Sequence, residues 1–81
     1  MKIIVAGPGC ARCHATEKNV IEAAKALNLQ ADISHEFDVR AFRTLGVKVT
    51  PAVLVDGQIV VSGHIPTVDE LKGLLAAAAN R

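Results

Sequence analysis

Basic clusters, aromatic residues and long apolar runs are all scarce in this chain of 81 residues, and each scarcity closes off a class of function. Lys and Arg number 9 against 8 Asp and Glu, a net charge of +1, and the two signs are interspersed. Binding a phosphate backbone needs a clustered cationic footprint. With no such stripe, and with Phe37 and Phe42 as the only aromatics of the Phe, Tyr and Trp class, no nucleic-acid partner is expected. No apolar run approaches the roughly 20 residues of a membrane-spanning helix, so no membrane partner is expected either. The opening Met1-Lys2-Ile3-Ile4-Val5-Ala6 has too short an apolar stretch for a signal-peptide core of about 7–15 residues. It reads as a strand, and the expected location is cytoplasmic. Cysteine is limited to Cys10 and Cys13, and no second Cys-x-x-Cys supplies the other half of a four-ligand zinc site.

What the chain does have is a large share of Ala, Val, Ile and Leu. At 51% hydrophobic it is not a disordered polymer. Its length suits one domain, 1–81, expected as a monomer, and a domain this small buries only about 60–65% of its unfolded surface. No repeat or low-complexity linker divides it.

Residues 2–6 are short, apolar and rich in β-branched side chains, and Gly7-Pro8-Gly9 stops them, which predicts a buried strand and a turn. Over 11–28, Thr16, Val20, Ala23, Ala24 and Leu27 recur at helical spacing, with Asn28 as the stop. Residues 31–36 alternate weakly and predict a second strand. Asp38 can cap a short helix over 39–45 that Gly46 ends. Ala52-Val53-Leu54-Val55 and Gln58-Ile59-Val60-Val61-Ser62 flank Asp56-Gly57, the favoured two-residue hairpin turn. Thr67-Val68-Asp69-Glu70 fits a capping box, and Val68, Leu71, Leu74, Leu75 and Ala78 give the helix after it an apolar face. The order βαβαββα implies an α/β fold: a four-stranded mixed sheet with flanking helices.

The stretch GPGCARCH, residues 7 to 14, carries the chemistry. Cys10-Ala11-Arg12-Cys13-His14 spells a haem-attachment motif, half of a metal site, or a redox dithiol. The haem reading lacks an export signal and a crevice. A soft-metal site (zinc, copper or arsenic type) would have two thiolates but only scattered histidines: His35, expected half-exposed on a strand, and His64, expected in a solvated turn. A structural staple is the bland reading, but so small a ring contributes only about 2 kcal/mol on chain entropy. For the redox reading, with Cys10 as N-cap and Cys13 one turn later, helix geometry sets their Cα atoms about 5 Å apart. A disulfide tolerates roughly 4.4–6.8 Å. Cys10 at the helix mouth favours a thiolate, and Cys13 inside the first turn is more shielded.

Thr50-Pro51 lies about 40 residues on, at the start of a strand, where a proline costs no ladder hydrogen bond. With the cysteine pair after the first strand, this Thr-Pro before the third, the Asp56-Gly57 hairpin and the final helix, the chain resembles the thioredoxin superfamily. It is most similar to the small prokaryotic thioredoxin-like proteins of the redox-active disulfide protein 2 type. The resemblance implies a thiol–disulfide oxidoreductase with no organic cofactor, only the internal Cys10–Cys13 dithiol. Cys10 would be the nucleophile and Cys13 the resolving cysteine. Thr50 would pair with extended substrate backbone, and Pro51, in a cis peptide, would shape the surface beside the dithiol. Arg12 would favour the thiolate and touch substrate. Implied partners are a disulfide-containing protein and an upstream reductase. Three features depart from the family. Ala11-Arg12 lies between the cysteines where thioredoxins carry Gly-Pro. Gly9 stands where thioredoxins carry Trp. No aspartate occurs among Ile3, Ile4 and Val5 to handle the proton of the resolving cysteine. His14 or Glu17 could substitute, although a solvated first turn is the expected setting of both.

Overall fold

A computed structural model describes residues 1–9 and 11–79. Its elements, in chain order, are β1 (Lys2–Ala6), α1 (Ala11–Ala26), β2 (Asp32–Glu36), α2 (Val39–Leu45), β3 (Ala52–Val55), β4 (Gln58–Ser62) and α3 (Val68–Ala79). The strands form one sheet in the order β2-β1-β3-β4. β2 runs parallel to β1, whereas β3 is antiparallel to both β1 and β4. The expected α/β class and mixed four-stranded sheet are what the chain forms.

Position in the sheet explains the composition of the strands. β1 and β3 are central and covered on both faces, so they read as nearly unbroken apolar runs. On one face Ile3, Val5, Val53 and Val55 pack against Val20, Ala23 and Ala24 of α1 and Leu71 and Leu75 of α3. On the other, Ala6, Ala52 and Leu54 pack against Phe42 of α2 and Val47.

Local chemistry sets the boundaries. α1 ends at Ala26, two residues before the expected stop, because Asn28 takes a left-handed φ of 56° and the chain folds back. The Leu29 N–H then donates to Ala24 O at 3.0 Å and the Asn28 N–H to Lys25 O at 3.0 Å, closing a Schellman-type cap with asparagine in the usual glycine position. Asp38 caps α2: its Oδ1 accepts the Arg40 N–H at 2.9 Å. That bond, reinforced by the Arg40 guanidinium, holds the Asp38 carboxyl below the usual carboxylate range. Thr67 caps α3, its Oγ1 accepting the Glu70 N–H at 3.0 Å. The reciprocal half of the expected capping box is replaced, since the Glu70 carboxylate lies 3.0 Å from Nε2 of the exposed His64. At the hairpin, Asp56 and Gly57 both have positive φ, 50° and 87°, as the tight turn requires. Asp56 Oδ1 also accepts the Lys2 N–H at 2.8 Å, tying the hairpin to the start of β1.

Candidate functional site

The site grows from the carboxyl end of β1. There the central strand gives way to Gly7-Pro8-Gly9 and then to α1. The Gly7 N–H donates to Glu36 O at 3.0 Å, so the turn is still anchored to β2 as it leaves the sheet. Cys10, expected at the helix mouth, lies outside the described residues. Cys13 is in the first turn of α1 and fully buried, as expected of the more shielded cysteine. Its thiol sits directly over Gly7: a Cβ built there would overlap Cys13 Sγ and come within 3.0 Å of Cys13 Cβ. Gly7 is therefore needed for close approach as well as for turning. Gly9, with φ 93°, is needed for its backbone conformation.

Thr50-Pro51 reaches the same end of the sheet. The β1–β3 register pairs Ala6 with Ala52, which sets Pro51 level with Gly7. The Thr50–Pro51 peptide is cis and Pro51 is fully buried. Pro51 O accepts the Gly63 N–H at 3.0 Å, joining the loop to the end of β4. Thr50 is half-buried, and among the described residues its backbone N–H and C=O make no hydrogen bond. Arg12 is exposed on α1, and its carbonyl accepts the hydroxyl of fully buried Thr16 at 2.9 Å.

His35 departs from expectation. Its side chain is only 4% exposed, and the exposure the residue keeps is on the main chain of an edge strand. In parallel register with Val5, it points to the sheet face that α1 covers. Nδ1 lies 3.1 Å from Glu17 Oε2, and Nε2 lies 3.1 Å from Gly7 O. Its ring stacks on Phe37 at 4.0 Å with 2° between planes. Glu17 is accordingly not a solvated first-turn residue; it turns inward to the ring. His14, by contrast, is exposed, with its ring centroid 6.1 Å from that of His35. Strict alternation along Asp32-Ile33-Ser34-His35-Glu36 puts His35 on the face of Ile33, a signal already present in the sequence and outweighed there by the polarity of histidine.

A family model for the thioredoxin domain matches residues 1–76. The thioredoxin of Methanothermobacter thermautotrophicus is 33% identical over 76 residues, covering 94% of this chain and 99% of its own length. The thioredoxin of Methanocaldococcus jannaschii is 40% identical over 70 residues, covering 86% of this chain and 80% of its own. The chain belongs to the thioredoxin family. Membership carries, in general terms, a role of the thiol–disulfide oxidoreductase kind. In the sequence, the cysteine motif follows β1. Among the described residues no three His, Cys, Asp or Glu side chains converge where they could hold a metal ion, and no helix is long and apolar enough to cross a membrane.

Proposed function

We propose that the protein reduces or exchanges disulfides in protein substrates through the Cys10-Ala11-Arg12-Cys13 dithiol. The Cys10 thiolate attacks a substrate disulfide and forms a mixed disulfide, releasing the first substrate thiol. Cys13 then attacks Cys10 sulfur, the second substrate thiol leaves, and Cys10 and Cys13 remain as an internal disulfide. An upstream reductase returns the two electrons. No organic cofactor takes part, and a reducing compartment such as the cytoplasm suits the cycle.

The observation that carries this reading is the burial of Cys13 against Gly7 at the end of β1, level with Pro51. A resolving cysteine has to be shielded from solvent oxidants yet fixed one helical turn from its partner position. Two features favour an extended polypeptide as substrate. The unused N–H and C=O of Thr50 can add a short strand contact to it. Phe37 and Val49, 53% and 54% exposed, offer apolar surface close by: Phe37 lies against Gly9, and Val49 lies against Gly63, whose N–H is bonded to Pro51. Arg12 contributes an exposed positive charge within the motif.

The test is a trapping experiment with insulin as disulfide substrate. In Cys13→Ser the mixed disulfide has no resolving thiol, so an adduct releasable by dithiothreitol accumulates on Cys10 and is located by peptide mass spectrometry. Wild type accumulates none and releases reduced insulin chains. Failure of Cys13→Ser to form the adduct contradicts the proposal.

A further inference from the structure

Cys13 is fully buried, so in the resolving step its proton has no direct path to bulk water. No carboxylate on β1 stands ready to receive it, because residues 3–6 are Ile-Ile-Val-Ala. A buried imidazole does stand there. Cys13 Sγ and His35 Nε2 both lie within 4.0 Å of a single point, the position a Gly7 Cβ would occupy. The two atoms are therefore at most about 6 Å apart, a gap that one water can bridge for proton transfer.

We infer that His35, oriented by Glu17, accepts the Cys13 proton as the internal disulfide closes, a role that rests on the redox reading above. The hydrogen-bond inventory defines two states of the ring. Before transfer, Nδ1–H donates to the Glu17 carboxylate and Nε2 keeps its lone pair. After transfer, Nε2–H donates to Gly7 O, which can only accept, while Nδ1–H still donates to Glu17. Both 3.1 Å contacts are present together, so Nδ1 faces the Glu17 carboxylate while Nε2 faces the Gly7 carbonyl. The carboxylate fixes the ring and balances the positive charge it acquires, as a second carboxylate-type partner does for a catalytic histidine. Stacking on Phe37 and the 4% exposure keep the ring from turning out to solvent.

The step balances. Cys13 loses its proton to Nε2. Its sulfur bonds to Cys10 sulfur while the Cys10–substrate S–S bond breaks. The substrate sulfur leaves with that bond's electron pair and takes up a proton from the imidazolium or from water. Over the cycle the two cysteines give up two electrons, and the substrate disulfide becomes two thiols.

Among the described residues, the groups that face His35 are few. α1 presents Cys13, Glu17 and, at 6.1 Å, His14. Lys2 of β1 pairs with Asp32 at the other end of the strand, so β1 and the turn after it present only the Gly7 carbonyl to His35. On its own strand, the Glu36 carboxylate is engaged with the Asp38 N–H at 3.4 Å. A pH profile of the resolving step therefore reports on the His35–Glu17 pair, with His14→Ala as the control for the third ring.

The experiment measures the resolving rate by rapid mixing: reduced protein is mixed with excess 5,5′-dithiobis(2-nitrobenzoate), and release of the second thionitrobenzoate is followed from pH 6 to 9. An unassisted thiol of ordinary acidity, about 8.5, is thiolate to only a few per cent at pH 7. His35→Gln is therefore expected to slow the second release about 10–30-fold at pH 7 and to make it climb more steeply than wild type, by about tenfold per pH unit below about pH 8. Glu17→Gln, on a partly exposed helical position, is expected to shift the profile in the same direction, and the first release to change less than about twofold in both variants. If His35→Gln does not fold, Glu17→Gln decides alone. A resolving rate and pH profile equal to wild type in the folded variants overturn the role of the pair while leaving the redox reading intact. A wild type with no second release overturns both.

Discussion

At the scale of single residues, the site depends on one missing side chain. Gly7 leaves the space that Cys13 fills, and its φ is not in the left-handed region, so a substitution there is a purely steric probe. Gly7→Ala should cost about 1–3 kcal/mol by overpacking. Urea denaturation checks it, and an unchanged midpoint would mean that Cys13 can move aside freely. The same residue shows what the sequence alone could tell. Gly7 was legible as punctuation before the cysteine motif, because glycine and proline mark turns whatever surrounds them. Its contact with Cys13 was not legible, since close approach depends on how α1 docks on β1. His35 was misjudged for a related reason. Polar residues on a weakly alternating strand are usually exposed, and only the tertiary partners Glu17 and Gly7 make burial affordable here. Cys10 lies outside the described residues, so its proposed role as nucleophile rests on the motif together with the family resemblance.

At the scale of elements, periodicity and capping chemistry carried most of the fold. α3 is the clearest case. Leu71 and Leu75, one turn apart, are fully buried against α1 and the sheet, while Gly73 between them has open space around its Cα. The two positions should respond with opposite signs. Leu75→Ala removes a buried side chain and should cost about 2–5 kcal/mol. Gly73→Ala adds a better helix former and should add about 0.5–1 kcal/mol. Thermal unfolding of both variants beside wild type tests the pair, and equal destabilisation would contradict the packing described. Where sequence reading stopped short, at the end of α1 and at the second half of the α3 capping box, side chains had a competing option. Asn28 could enter the left-handed region, and Glu70 could turn to His64.

At the scale of the whole molecule, one sheet and the helix it delivers position the residues that the proposed chemistry uses. A domain of this size has about 4–12 kcal/mol of net stability, so its mobile chemistry has to sit on its most rigid part. β1 is hydrogen-bonded on both edges, to β2 and β3, and it delivers the turn and α1 at one end of the sheet. β3 delivers Pro51 to the same end, and β2 delivers His35. Topology thus gathers residues 7, 13, 17, 35 and 51 from distant parts of the chain, which explains why the cysteine motif became interpretable only together with Thr50-Pro51.

The central claim is that Cys10 and Cys13 act as one two-electron couple. The most direct measurement is a redox titration of wild type in glutathione buffers, with thiols counted by alkylation and mass spectrometry at each potential. The dithiol chemistry predicts a single transition from two thiols to none, with an internal disulfide and a slope of about 30 mV per tenfold change. Two separate one-thiol transitions, or glutathione adducts on each cysteine without an internal disulfide, would contradict it.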